Sequence, residues 1–441
     1  MGHQKLAPGA ALLQTPQWRG PPLRAGNETV RGPDQLAARN HSQRIPKSLR
    51  KIFSSSLATR TGWPGLVFAG LFSLFCLAFF LPISSKAVNN IFYAGLAVPA
   101  LFWLLRRPAA LPVLGRALAW VVLFLALVTL LDASSLSGLK KGVYLLLFLA
   151  GCLLLEQQRF TVRHCLTLYA LVCLVIFFYV LADWIWIWTE SGRWIRYGRF
   201  LDQRINSVYF SLLMITGLSF LWLFHAEEFL LRHSKVALGA GLYVFVGMVL
   251  VVAAIFQGRS ALLGFSLFLL TYLYWRRQFL VGVLVILGLA IPLHAIGVLE
   301  LLLNRGVSHR TDIWMDALSR LANDCSLWLG CGSDDYRFLG KFEHPHSGYV
   351  SMLYRNGLVG AVLFAGFAVV FFARSARINS RWMLLALIGW GSILTSTSGV
   401  ITTPQPLWIY FWLPTFMAIL ESHRDKLAGY AAARCGTPAS S

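Results

Sequence analysis

The residues of this sequence best suited to chemistry are two histidines separated by a proline, in the run His344-Pro345-His346-Ser347-Gly348. A neutral imidazole can take a proton from an incoming hydroxyl. Pro345 is poorly tolerated inside a helix and Ser347 can cap one, so a helix is expected to start here, with His346 at its mouth as the base. The free N–H groups of that first turn would favour an anionic partner. His344 precedes a proline, which biases its backbone to an extended form and its ring toward solvent or the loop. Ser351 and Arg355 follow Ser347 by four-residue steps on one face, and Gly357 and Gly360 are expected to let a neighbouring helix approach closely.

The other chemistry-bearing groups are cations. Arg193, Arg196, Arg199 and Arg204 lie in one short stretch, Lys140 and Lys141 in another, and Arg305, Arg310, Arg337 and Lys341 in a third. Arg259 follows Gln257-Gly258, opens an apolar run and has no acidic neighbour in sequence. A convergent set of guanidinium forks suits a pyrophosphate. The alternative is pairing with Asp202, Asp312, Asp316, Asp334 and Asp335, or contact with lipid phosphate. Asp334-Asp335 resembles a carboxylate pair for a divalent cation, but after Gly332-Ser333 it reads better as a solvated turn, and no metal is expected. The sequence has no P-loop, Gly-x-Gly-x-x-Gly or Cys-x-x-Cys run, which argues against a soluble nucleotide donor.

The elements that must position these residues are membrane helices. Of 441 residues 57% are hydrophobic and 13% charged, with a mean hydropathy of +0.63. Soluble proteins carry roughly twice that share of charge. Apolar segments run near 64–83, 88–105, 115–132, 139–155, 164–188, 207–224, 236–256, 260–275, 278–297, 347–373, 382–397 and 405–421. The expected fold is an all-α integral membrane protein of about twelve spans, both termini cytoplasmic, with one large outside loop at 298–345 containing short helices. Arg106, Arg107, Arg159, Arg163, Arg232, Lys235, Arg276, Arg277, Arg374, Arg377 and Arg381 then fall in inside loops, as the positive-inside rule requires. The cations of the preceding paragraph fall outside, against that rule, so something must reward them. No internal repeat is evident by eye.

The net charge of +21 and pI near 10.1 would suggest nucleic acid as partner in a soluble chain; here inside-loop cations account for much of it. Residues 1–60, rich in Pro, Gly, Arg and Gln, read as a disordered basic cytoplasmic segment, residues 61–421 as the membrane domain and 422–441 as a cytoplasmic tail. Four of seven cysteines (Cys76, Cys152, Cys165, Cys173) lie in apolar runs and read as small hydrophobes, whereas Cys325 and Cys331 share the outside loop, where a disulfide can form. Within that loop, Ile313, Trp314, Ala317, Leu318 and Leu321 recur at helical spacing, predicting an amphipathic helix over His309–Ala322. A tryptophan at such a boundary reads first as an interfacial anchor.

His346-Ser347, nine residues, then Gly357-Leu358-Val359-Gly360 resembles the His-Asn/Ser/Gln-x9-Gly-x-x-Gly/Thr/Tyr signature of the O-antigen ligases, within the O-antigen ligase and polymerase superfamily. Arg259-Ser260-Ala261-Leu262-Leu263 resembles their Arg-x-x-x-Leu element. Arg310-Thr311-Asp312-Ile313-Trp314 followed by Trp328-Leu329-Gly330-Cys331-Gly332 is similar to the loop before the family histidine. The resemblance implies an inverting, metal-independent periplasmic transfer of O-antigen from undecaprenyl pyrophosphate to lipid A-core, with no cofactor. His346 would be the base and Arg259 and Arg204 would hold the pyrophosphate, with Arg196, Arg199, Arg310, Lys140, Ser347 and Arg355 as further substrate contacts. An O-antigen polymerase, a protein O-oligosaccharyltransferase and, from another class, a lipid-linked glycan flippase remain open alternatives. Few acidic residues in the spans and anion sites gathered on one face argue against the flippase.

Overall fold

The computed structural model describes residues 63–106, 119–131, 136–158, 160–298, 309–332 and 336–423, all within one compact unit, Phe53–Ser441. The 1–60 segment, the tail beyond residue 423, Arg107, Arg159, Arg305 and Asp334-Asp335 lie outside the described residues.

Helices occupy each apolar segment expected from the sequence. In chain order they are α1 (Trp63–Leu77, extended by a 3-10 turn over Ala78–Phe80), α2 (Ser85–Arg106), α3 (Ala119–Leu131), α4 (Leu136–Glu156) and α5 (Val162–Ser191). There follow a hairpin of β1 (Arg199–Phe200) and β2 (Gln203–Arg204), then α6 (Ser207–His233), α7 (Lys235–Phe256), α8 (Arg259–Arg276), α9 (Phe279–Ala295), α10 (Arg310–Asn323), α11 (Gly348–Arg377), α12 (Arg381–Ser396) and α13 (408–422). Among the described residues, α2, α4, α5, α6, α7 and α11 are long and apolar enough to cross a membrane. The protein is thus an all-α membrane protein with one added two-residue hairpin.

Serine and asparagine caps set where the helices begin. Ser84, Asn206, Ser234, Ser347 and Ser380 each accept from a first-turn amide, satisfying donors that lipid could not. The α7–α8 connection is a Schellman turn: Gln257 is left-handed at φ 50°, Gly258 N–H donates to Ala253 and Gln257 N–H to Ala254. The short connection near 256–260 is therefore a sharp turn between two separate helices.

The core is aromatic, with Trp408 at its centre: its ring lies 5.0 Å from Phe92 and 5.0 Å from Phe148. α8 and α12 cross with almost no side chain between them. A Cβ on Gly391 would stand 2.8 Å from Gly264 Cα, and one on Gly264 would stand 2.2 Å from the Ile388 carbonyl oxygen. Gly264→Ala should therefore force two backbones apart, at a cost of about 1–3 kcal/mol. A lowered unfolding midpoint in detergent is the expected result, and an unchanged one would mean that the crossing is looser than drawn.

One end of the bundle gathers paired charges: Arg276 reaches Glu227 at 2.6 Å, Arg232 reaches Glu228 at 2.7 Å, and Arg374 lies 2.7 Å from His423. These are cations that the charge rule assigns to the inside. The opposite end of α11 from Arg374 carries His344 and His346.

Candidate functional site

Ser347 caps α11 by accepting from Val350 N–H at 3.3 Å and is fully buried. His346 sits just before it in the left-handed region, at φ 53°. That conformation costs a non-glycine residue of order 1–3 kcal/mol and persists where its surroundings impose it. Trp314 on α10 supplies part of that constraint, its indole donating to the Pro345 carbonyl at 3.0 Å. This tryptophan is a strut for the histidine segment, not a plain interfacial anchor.

Of the two directions that the proline argument left to His344, solvent or the loop, the ring takes the loop side. Its ring centroid lies 4.0 Å from that of His346, while Phe342 meets His346 edge-on at 5.7 Å. Burial first, and then the charges of His346 and Arg355, push His344 down to about 4. Burial, followed by the charge of Arg310, lowers His346. Both rings are therefore neutral at pH 7, and Arg310 and Arg355 are the cations that they feel.

Because the folded values lie below the ordinary histidine value of 6.5, acidification protonates the unfolded chain first. The stability linked to these rings is fully present above about pH 6.5 and is lost as pH falls toward 4. An acting imidazole base should likewise place the acid limb of kcat/KM below 6.5. A limb at or above 6.5 would remove both histidines from that role.

Arg355 and Ser351 line a narrow cleft of about 20 Å³ with Val128, Thr129, Asn356 and Gly399. Three polar atoms of its lining residues, Thr129 Oγ1, Ser351 Oγ and Asn356 Nδ2, are buried without a hydrogen-bond partner. Such groups cost free energy unless a ligand or water meets them. Gly357 and Gly360 do not admit a neighbouring helix as expected. Gly357 breaks α11 (φ 61°, ψ −163°), and Gly360 faces Asn356 of its own helix.

A second cavity, about 200 Å³, is walled by Phe79, Phe80, Leu81, Pro82, Ile83, Phe200, Phe210 and Pro406 and edged by Gln203, Arg204, Asn206 and Tyr209. An apolar wall with a guanidinium at its rim suits a lipid bearing an anionic head. Arg204 stands directly opposite Arg199 across the hairpin, whose turn residues Leu201 and Asp202 are both left-handed. Like charges facing each other across a strand pair are destabilising, and an anion between them relieves this. Of the acidic residues weighed as partners, Asp316 pairs with Arg320 and Asp312 with His309.

Arg196 donates to the Phe256 carbonyl at 3.0 Å and Tyr197 N–H to Ile255, which ties the arginine-rich segment to the end of α7, where Arg259 begins α8. Ser260 and Thr395 hydrogen-bond at 2.8 Å, and Gly348 packs against Ile393 and Thr397. The mouths of α8 and α11 thus both lean on the last turn of α12, so Arg259 and His346 share one end of the bundle. Lys140, at the start of α4, lies over the Tyr144 ring at 5.6 Å. The structure brings His344 to His346, with Arg355 in electrostatic reach of the first ring and Arg310 of the second, and Arg196 to the turn that carries Arg259. The hairpin pairs Arg199 with Arg204.

Fold and site together define a helical membrane protein that presents neutral imidazoles and arginines at one end of its bundle. No family model matches the chain. It is 27% identical over 134 residues to the O-antigen ligase of Pseudomonas aeruginosa (strain PAO1), a match covering 27% of this chain and 32% of that protein. The chain thus spans about a third of the length of the curated relative that it matches. That likeness supports the O-antigen ligase family and an enzyme of that type.

Proposed function

We propose that this protein is an inner-membrane glycosyltransferase that moves O-antigen polysaccharide from undecaprenyl pyrophosphate to a sugar hydroxyl of lipid A-core, with its active site in the periplasm and the 298–345 loop over it. The observation that carries this reading is the neutral His344–His346 pair at the mouth of α11, at the bundle end that also holds Arg259 and the Arg199–Arg204 hairpin. The disulfide Cys325–Cys331 fits an oxidising compartment.

In this mechanism His346 takes the proton of the acceptor hydroxyl as its oxygen attacks the anomeric carbon from the face opposite the pyrophosphate. The anomeric C–O bond breaks, its electron pair leaves with the undecaprenyl pyrophosphate, and the sugar inverts. Arg259 and Arg204 meet the negative charge that grows on the leaving group, so the scheme uses no metal. Protonated His346 then gives its proton to solvent. The donor lipid lies in the cavity rimmed by Arg204, and the acceptor approaches past Arg310 and Arg355.

Purified protein in detergent, with no ion gradient, should join lipid-linked glycan to lipid A-core. Cells lacking it should keep long glycan on the lipid carrier and none on lipid A-core. Collapse of glycan length in those cells would assign a polymerase, and transport without transfer would assign a flippase.

A further inference from the structure

The break in α11 has an unusual complement. At Gly357 the helix leaves its regular path, so the groups flanking the break lose their intrahelical partners. A loop earlier in the chain, over residues 327–332, replaces them. Cys331 N–H donates to the Tyr354 carbonyl at 2.8 Å, and Gly332 N–H to the Arg355 carbonyl at 3.0 Å. In the opposite sense, Leu358 N–H donates to the Leu327 carbonyl at 2.9 Å and Val359 N–H to Trp328 at 3.2 Å. Four backbone bonds thus join residues 327–332 to 354–359 on both sides of the kink.

The fit is close. A Cβ on Gly330 would stand 2.4 Å from the Arg355 carbonyl carbon, and one on Gly357 would stand 2.3 Å from the Trp328 oxygen. Both glycines have positive φ, 82° and 61°, so neither position accepts a side chain on conformational grounds either. The disulfide Cys325–Cys331 closes this loop. Its sulfurs flank a small separate core of Ile313, Ala317, Leu321, Tyr336 and Tyr354, which seats α10 on the first turns of α11. The clamped residue, Arg355, lines the cleft and acts electrostatically on His344.

We propose that the disulfide-closed loop 325–332 is a positioning element: it substitutes for the missing helical bonds at the Gly357 break and thereby fixes Arg355 beside the histidine pair. The catalytic part of this proposal rests on the transferase reading. Opening the ring frees the loop to leave the break, and Arg355 then loses its fixed backbone. A dithiol opens it by giving two electrons and two protons, leaving two cysteine thiols while the dithiol closes to its own disulfide.

The test uses the full chain in detergent, with and without dithiothreitol, alongside the Cys325→Ser/Cys331→Ser double variant and Gly330→Ala, which keeps the disulfide but wedges the clamp. Mass spectrometry of the alkylated 320–337 region confirms reduction, and hydrogen exchange follows the Leu358 and Val359 amides. Gly366→Ala, farther along α11 at a glycine with open space around it and ordinary helical backbone, controls for general effects of a glycine substitution. Opened or wedged forms should exchange those two amides at least about tenfold faster, as a released hydrogen bond requires, and lose at least about tenfold in kcat with donor KM within twofold. Unchanged exchange after confirmed reduction would overturn the clamp. Faster exchange with unchanged kcat would overturn its positioning role. If the unmodified protein transfers no glycan, the transferase reading fails, while the exchange measurement still decides whether the clamp exists.

Discussion

His346→Ala should abolish glycan transfer while leaving the protein inserted and folded. Ser347, not His346, caps α11, so the helix keeps its start when the imidazole is removed. The left-handed backbone at residue 346 is no easier for alanine than for histidine, so a small loss of stability is expected. General-base catalysis is worth about 10² to 10⁴ in rate, and kcat should fall by that factor with little change in donor KM. His344→Ala separates the two rings. Its loss admits water to a neighbour 4.0 Å away, which weakens the burial that lowers His346 and moves the acid limb up toward 6.5. A milder fall, about tenfold, should accompany that shift. Retention of transfer within threefold in His346→Ala, or a reversal in which His344→Ala is the null variant, would end the assignment of His346 as base.

The start of α11 could be read from sequence because it depends on residue identity at two adjacent positions: proline cannot continue a helix and serine can cap one. The local bias before proline leaves the His344 ring a choice between solvent and the loop, and it cannot decide between them because Trp314 and Arg355, which hold and polarise the segment, come from elsewhere in the chain. From sequence Gly357 reads as a packing glycine. A glycine in an apolar run looks the same whether a helix passes beside it or stops there, and only the partner loop at 327–332 distinguishes the two. The run Trp328-Leu329-Gly330-Cys331-Gly332 held a usable signal, two glycines and a cysteine beside the signature, but nothing local says where such a loop docks. The Arg199–Arg204 hairpin was invisible for a related reason. Its turn is Leu201-Asp202, and without a glycine that pair does not announce a left-handed turn. The α10 face over Ile313, Ala317 and Leu321 was legible from its spacing, although its partner is the small core on α11, and Leu318 stays exposed.

Arg259→Ala should lower kcat/KM by about 10² to 10³, the loss seen when one preorganised group facing a developing anion is removed. Position supports so large an effect. Arg259 is the first residue of α8, directly after the Schellman turn, so its backbone direction is set by Gln257 and Gly258 rather than by a mobile loop. Ser260, beside it, is fixed to Thr395 at 2.8 Å, and Arg196 secures the Phe256 carbonyl before the turn. The side chain therefore leaves a rigid corner, where preorganisation costs nothing at the moment of reaction. Arg259→Lys keeps the charge but loses the planar fork, so it should recover only part of the rate. If the guanidinium meets charge that appears as the anomeric bond breaks, kcat should fall as far as kcat/KM. If it only anchors the ground-state pyrophosphate, KM alone should rise. The unfolding midpoint of both variants serves as control, because the Ser260–Thr395 bond remains. An alanine variant with normal kcat and a raised donor KM would move Arg259 from catalysis to binding, and one with neither change would remove it from the site.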